Sequence, residues 1–138
     1  YAILYCDWSS DVCSSDLFPA ALPAGRSHNA LFAGFWWSHV PLGNLDLFLE
    51  SILPLIAPGG LIAFLDNRYV VGSSTAVSRH DTEGNTYQLR KLDDGSTHEV
   101  LKNFPGESEL IRRASRVGWG ANLDLFQHYW LLTFWAPK

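Results

Sequence analysis

The chain has 138 residues, a formal net charge of −4 and 47% hydrophobic residues. This length suits one modest domain. So small a charge gives no electrostatic reason to expect nucleic acid or an anionic membrane as a partner. The apolar run at residues 61–65 is far too short to span a bilayer.

The first seventeen residues do not read as an evolved sequence. Residues 7–17 (Asp-Trp-Ser-Ser-Asp-Val-Cys-Ser-Ser-Asp-Leu) match the in-frame translation of a common short-read sequencing adapter. Residues 1–17 are therefore interpreted as a non-native segment without reproducible structure and are excluded from fold reasoning. The natural sequence that preceded Phe18 is expected to be missing.

Residues 18–138 are interpreted as the genuine part of the chain. Both cysteines and three aspartates lie in the excluded segment, so the net charge of the genuine part is −1. Without cysteine it has no disulfide framework and no thiolate metal site, which suits a cytoplasmic protein.

The first elements of the genuine part predict a parallel crossover unit. Residues 30–37 are continuously apolar, as a central parallel strand requires when helices cover both faces. Residues 44–57 carry leucine and isoleucine at helical spacing, and Pro58-Gly59-Gly60 is expected to end that helix. Residues 61–65 form a second buried strand. Strand, helix and strand joined by short loops favour two parallel neighbours.

The second half changes character. Residues 86–92 and 97–104 predict a hairpin around an Asp-Gly turn within a polar region. Residues 105–118 predict a helix that begins near Pro105 and ends at Gly118. Residues 122–127 and 129–135 are apolar strands too close together for a crossover, so they should pair antiparallel. The fold class is therefore α/β.

The leucine-striped helix, Pro58-Gly59-Gly60 and the apolar strand ending at Asp66 form an ordered series. This series resembles the fourth-strand to fifth-strand region of class I S-adenosylmethionine-dependent methyltransferases. Ser38-His39-Val40-Pro41 is similar to the turn that ends the family's preceding strand, whereas Asn29 stands where an acid is usual. The resemblance implies a partial Rossmann-like sheet, the C-terminal portion of such a domain, and S-adenosylmethionine as cofactor.

The resemblance also implies what residues 18–138 lack. The family's Gly-rich loop after the first strand and its ribose-binding acid after the second strand belong to the other half of the fold. Gly59-Gly60 is no substitute, because it precedes a strand rather than opening a helix.

The resemblance places the site beyond the carboxyl ends of the two predicted parallel strands, where ligands bind in open α/β sheets. The loop after the first strand would lie beside the cofactor, and aromatic faces suit a sulfonium cation. The predicted cofactor-binding residues are Phe35, Trp36, Trp37 and Ser38. His39 is the predicted catalytic base, since its ordinary pKa lies near neutrality. Alternatively, one of the tryptophans packs in the core and His39 caps the next turn.

The second strand end supplies the predicted substrate side. The candidate substrate-binding residues are Asp66, Asn67, Arg68 and Tyr69. Asp66-Asn67 is also similar to the pair that helps bind a divalent cation in catechol-type O-methyltransferases, and oxygen ligands suit magnesium. That site needs a further acid where Ser38-His39 stands here, so no metal is expected.

The loop after the first strand lacks the Asn/Asp-Pro-Pro-aromatic turn common in methyltransferases acting on amide or adenine nitrogen. This difference favours a small-molecule acceptor over nucleic acid. The sequence therefore predicts a fragment of a methyltransferase, inactive as truncated. Two alternatives stay open: a fragment of a nicotinamide-dependent oxidoreductase, and a non-catalytic Rossmann-like binding module.

Overall fold

A computed structural model describes residues 27–138 and the backbone of Ala2–Tyr5. The strands are β1 (Ala2–Tyr5), β2 (His28–Gly34), β3 (Ile56–Asn67), β4 (Arg79–His80), β5 (Thr86–Lys91), β6 (Thr97–Leu101), β7 (Trp119–Leu125) and β8 (Tyr129–Trp135). The helices are α1 (Leu45–Ile52) and α2 (Glu107–Val117), with short 3₁₀ turns at Trp37–His39, Leu42–Asn44 and Leu53–Leu55. Within these described residues, neither helix is both long and apolar enough to cross a membrane.

The main sheet has the strand order β1-β2-β3-β8-β7. β2 and β3 are parallel neighbours, in register at Leu31 and Ile62, and the chain between them contains α1. β8 lies between β3 and β7 and runs antiparallel to both. The predicted parallel pair and the predicted antiparallel terminal pair are both confirmed. The fold class, α/β with a partial Rossmann-like sheet, is also confirmed.

One face of this sheet carries the hydrophobic core. Inward residues alternate along β2, β3 and β8 and meet the apolar stripes of α1 and α2. The fully buried core side chains include Leu31, Ile62, Phe64, Leu132, Phe134, Leu45, Leu49, Ile52 and Leu110. Burial of each such leucine, isoleucine or phenylalanine stabilises the fold by about 1.5–3 kcal/mol. Arg113 connects the two helices through Asp46, with 2.8 Å between Nη1 and Oδ1.

The bounds of α1 and β3 differ from the prediction. The helix ends at Ile52, a 3₁₀ turn containing Pro54 follows, and β3 already begins at Ile56. The reason is Pro54, which has no N–H to donate to the carbonyl four residues earlier and whose ring crowds that carbonyl, so the α-helix cannot continue through it. The prediction that Pro58-Gly59-Gly60 ends the helix was therefore wrong.

Those glycines instead shape the start of β3. Gly59 has a φ of 71°, in the left-handed region that favours glycine. At Gly60 a Cβ atom would lie 2.9 Å from the carbonyl oxygen of Asn29, so only glycine lets β2 come this close.

The prediction that residues 1–17 lack structure is wrong for Ala2–Tyr5. Their backbone pairs parallel with β2, from Ala2 opposite Leu31 to Tyr5 opposite Gly34. An open edge of β2 exposes unpaired N–H and C=O groups, and Ala-Ile-Leu-Tyr contains residues that favour strands. Residues 6–26 lie outside the described part, as does the rest of the prediction for that segment. The boundary between residues 17 and 18 stays a prediction.

The polar region between β3 and α2 forms a second, antiparallel sheet with the order β4-β5-β6. The predicted hairpin is confirmed as β5 and β6, and Gly95 takes the positive φ of 84° in its turn. The two-residue strand β4 was not predicted. This small sheet docks on the loop after β2, where Asn103 N donates to Ser38 O over 2.8 Å.

Candidate active site

The carboxyl ends of β2 and β3 meet at Phe35. Its backbone N–H donates to Leu65 O over 2.8 Å, and its φ of 55° turns the chain out of the strand. A non-glycine residue in this region is uncommon, and such strain clusters at functional sites. The Phe35 ring meets the Tyr129 ring edge-on, with 6.0 Å between centroids. This turn explains why β2 ends at Gly34 rather than at residue 37.

The two tryptophans that follow are buried. Trp37 is 2% exposed and packs edge-on against Phe64 and Trp130, with ring centroids 5.1 and 5.8 Å away. Trp36 is 8% exposed. Their rings therefore support the loop after β2 from the core side.

Lys102 directly follows β6, and its ammonium group lies among polar side chains at the carboxyl ends of β2 and β3. Its side chain is buried, and Nζ donates to Ser38 Oγ at 2.8 Å and to Asp66 Oδ1 and Asn67 Oδ1 at 3.0 Å each. Three acceptors match the three N–H donors of an ammonium group. Burial lowers the pKa of Lys102 below its usual range, and the Asp66 carboxylate opposes that shift.

Both oxygens of the Asp66 carboxylate accept hydrogen bonds. Oδ2 accepts from Ser38 N at 2.9 Å, and Oδ1 accepts from Asn67 N at 2.7 Å as well as from Lys102. The ammonium therefore occupies the position between the Asp66 and Asn67 oxygens that a divalent cation would need. The described residues contain no cluster of three or more His, Cys, Asp or Glu side chains suited to a metal ion.

His39 is held as a neutral imidazole. Nδ1 donates to Leu101 O over 2.7 Å, which leaves Nε2 as the acceptor nitrogen. Burial, together with the nearby Lys102 ammonium, lowers the pKa of His39 to about 4. A cavity of about 500 Å³ lies at these strand ends, and His39 is absent from its described lining.

Asparagine side chains fasten the small sheet to the main one. Asn103 Nδ2 donates to Val40 O at 3.3 Å and to Asn85 Oδ1 at 3.0 Å, and Asn85 Oδ1 also accepts from Leu42 N at 2.8 Å. We call the five buried residues Ser38, Asp66, Asn85, Lys102 and Asn103 the polar junction. Because buried polar groups are costly when unpaired, this network fixes the position of the small sheet.

The cavity of about 500 Å³ opens between the strand ends and the small sheet. Its volume lies in the range of small-molecule sites. It is lined by Phe35, Asn67, Arg68, Ser73, Ser74, Thr75, Gln88, Arg90, Lys102, Phe104, His128 and Tyr129. The lining comes from the loops after β2 and β3, the small sheet and the turn before β8.

Three of the predicted site residues, Phe35, Asn67 and Arg68, meet at this cavity. Trp36, Trp37, Ser38 and Asp66 are buried. Tyr69 borders a smaller cavity of about 330 Å³, with its ring edge-on to Phe104 at 5.2 Å. The roles assigned to these residues and to His39 stay predictions.

Sequence reasoning missed the contributions of the small sheet and the final turn to the site, namely Gln88, Arg90, Lys102 and His128. Polar residues in a polar, glycine-containing region are normally interpreted as solvent-exposed loop residues. The sequence carries no signal that the hairpin folds back over the strand ends.

The fold is similar to that of solved structures. The DhpI–SAH complex is 26% identical with a TM-score of 0.62, over 86% of this chain and 52% of that chain. The DhpI–SAM–HEP complex gives a TM-score of 0.63 at 26% identity, over 82% of this chain and 52% of that chain. The chain has the class I methyltransferase fold.

A more distant match shares this methyltransferase fold. It is the glycopeptide N-methyltransferase MtfA complexed with (S)-adenosyl-L-homocysteine, with a TM-score of 0.58 at 11% identity, over 86% of this chain and 58% of that chain. No protein-family model and no curated protein sequence matches the chain. The chain spans about half the length of the DhpI chain that it matches.

Proposed function

We propose that the parent protein of this chain transfers a methyl group from S-adenosylmethionine to a small-molecule acceptor. Residues 18–138 would form the C-terminal portion of that enzyme. The observation that carries the proposal is the placement of β8, antiparallel between β3 and β7, in a sheet similar to that of DhpI complexed with SAH and with SAM. An antiparallel strand inserted here favours a methyltransferase over a nicotinamide-dependent oxidoreductase.

The proposed reaction is a direct displacement. A lone pair of the acceptor forms a bond to the methyl carbon while the carbon–sulfur bond breaks. The bonding electrons stay on sulfur, which converts the sulfonium cation to a neutral thioether. Correct placement of acceptor and methyl group supplies much of the rate. The rings of Phe35 and Tyr129 line the cavity and suit a sulfonium cation.

The residue roles follow from their positions. The segment from Phe35 to Ser38 would form one wall of the cofactor site, with the Phe35 ring as the part that lines the cavity. Asn67 and Arg68 would contact the acceptor directly, and Tyr69 would shape the adjoining cavity. Asp66 would act indirectly, by holding Ser38 and Lys102.

His39 is kept as the candidate base. It is neutral at pH 7, and Nε2 can accept a proton. A pKa of about 4 makes it a weak base, so the proposal favours acceptors that need little help in losing a proton.

We further propose that the present chain is inactive. The Gly-rich loop and ribose-binding acid that the family resemblance implies have no counterpart in residues 18–138. The loop after β2 supplies only one wall of a cofactor site, and the chain spans about half of the DhpI chain.

The test compares the present chain with residues 18–138 joined to their natural upstream sequence. Calorimetry with S-adenosylmethionine should show binding by the longer protein and none in the micromolar range by the present chain. Formation of the thioether product should then be measured with a panel of small acceptors. Micromolar binding by the present chain would contradict the truncation proposal. Cofactor binding by the longer protein without turnover of any acceptor would favour the binding module.

His39→Ala in the longer protein tests the role of that residue separately. It should slow methyl transfer more than it weakens cofactor binding, because the base acts on the acceptor and not on the cofactor. Turnover at the parental rate would remove His39 from the mechanism and leave the methyltransferase proposal intact.

A further inference from the structure

The described lining of the 500 Å³ cavity at the strand ends carries more cationic than anionic side chains. Arg68, Arg90 and Lys102 line it, and its described lining contains no aspartate or glutamate. Lys102 does not account for the excess, because its ammonium lies 3.0 Å from the Asp66 carboxylate oxygen. The other cationic side chains of the described lining are the guanidinium groups of Arg68 and Arg90.

Arg68 is anchored through a backbone carbonyl. Its Nη1 donates to the carbonyl oxygen of Phe126 over 2.7 Å, which fixes one edge of the group. Within the described part of the chain, Arg68 forms no salt bridge, whereas Arg79, Arg113 and Arg116 each contact a carboxylate. A guanidinium has five N–H donors in a planar fork, so one carbonyl leaves most of the donors for another acceptor.

Arg90 is positioned by a buried side chain. Its Nη2 donates to Gln88 Oε1 over 3.2 Å, and Gln88 is 2% exposed. Gln88 Nε2 donates in turn to Thr75 O over 2.7 Å, so the glutamine cannot rotate freely. Burial lowers the pKa of Arg90, yet an arginine side chain stays charged at neutral pH. The small sheet thus presents a fixed cation to the cavity.

We propose that this cavity recognises an acceptor that carries an anionic group, a carboxylate or a phosphoryl group, bound by Arg68 and Arg90. The inference rests on the proposed function and adds the substrate class. Guanidinium groups match the planar oxygen pairs of both anions and form hydrogen bonds stronger than neutral ones. An anionic acceptor is also attracted to the sulfonium cation of the cofactor, and an anionic oxygen that is itself methylated needs no base.

The present chain can test the anion site without any cofactor. Backbone amide chemical shifts would be followed by NMR while acetate or inorganic phosphate is added at constant ionic strength. Acetamide, which matches acetate in size without its charge, is the neutral control. Saturable shifts at Asn67, Arg68, Gln88 and Arg90 are expected with at least one anion and not with acetamide. Tighter binding of acetate would indicate that the acceptor carries a carboxylate, and tighter binding of phosphate would indicate a phosphoryl group.

Variants assign the binding to its residues. Arg68→Gln and Arg90→Gln should each weaken anion binding about tenfold, since each removes charge-assisted hydrogen bonds. Arg112→Gln removes an exposed arginine of α2 outside this cavity and should leave binding unchanged. Equal response to acetate and acetamide, shifts spread over the surface, or equal loss in Arg112→Gln would each overturn the proposal.

The wild-type titration decides the question even if an arginine variant fails to fold. Absence of anion binding would refute the substrate class and leave methyl transfer untouched. Anion binding without methyl transfer by the longer protein would instead count against the proposed function.

Discussion

Lys102 Nζ lies 3.0 Å from Asp66 Oδ1, and the side chains of both residues are at most 2% exposed. The pair joins the small sheet to the carboxyl end of β3. A buried ion pair stabilises a fold only when its geometry is good and its remaining hydrogen bonds are satisfied. Both conditions are met, since Ser38 and Asn67 complete the partners of the ammonium group.

Lys102→Met should destabilise the protein by about 3–5 kcal/mol, because it leaves the Asp66 carboxylate buried and unpaired. Urea unfolding followed by circular dichroism would measure the loss. The second substitution Asp66→Asn should recover part of it by removing the stranded charge. Arg79→Gln is the matched control, since it breaks the exposed Arg79–Glu99 pair and should cost less than about 1 kcal/mol. A Lys102→Met variant as stable as the control would contradict the assigned role.

Acid should destabilise the fold through His39. Its pKa is about 4 in the folded protein and 6.5 ordinarily, so the unfolded state binds more protons between these two values. The free energy of unfolding should therefore fall as the pH drops from about 6.5 to about 4, by up to about 3 kcal/mol. Urea midpoints measured across this range, minus those of His39→Gln, isolate the contribution. Identical pH slopes for the two proteins would show that His39 titrates normally.

The sheet could be predicted from local patterns because each pattern has a local cause. Residues 30–37 and 61–65 are apolar on both faces, and this composition favours buried parallel strands. The end of α1 could also have been placed correctly, since Pro54 lies inside the predicted helix and proline has no N–H to continue the helical hydrogen bonds.

The polar junction could not be predicted in the same way. Lys102 contacts Ser38 and Asp66, which lie 64 and 36 positions away in the sequence. Lysine is almost never fully buried unless it is paired, so without knowledge of its partners Lys102 reads as a solvated residue. Asp66 does lie at the carboxyl end of β3, as the sequence predicted, but its partner Lys102 depends on the docking of the small sheet.

Phe35 should show the opposite of the usual glycine penalty. Its φ of 55° costs an L-residue about 1–2 kcal/mol, a cost that glycine does not bear. Both Phe35→Gly and Phe35→Ala lose the ring contact with Tyr129, so the glycine variant should be the more stable by about 1 kcal/mol. At Phe126, an exposed residue without positive φ, alanine should instead be the better replacement. Thermal unfolding of the four variants gives the comparison, and the same order at both positions would argue against strain at Phe35.

Gly60→Ala should disturb the approach of β2 to β3. The new Cβ atom would lie 2.9 Å from Asn29 O and 3.0 Å from Ala57 O, both backbone atoms that cannot rotate away. We expect a loss of about 1–3 kcal/mol, as for overpacking in a core. Gly43→Ala is the control, because no atom lies within 4 Å of its Cβ position and its φ is not positive; it should change stability by less than about 0.5 kcal/mol. Hydrogen exchange would then show whether the damage reaches the strand ends. The N–H of Phe35 donates to Leu65 O at the strand ends, so faster exchange there would mean that the spacing between β2 and β3 at Gly60 helps to position the site. Unchanged exchange at Phe35 would confine the role of Gly60 to the opposite end of the strands.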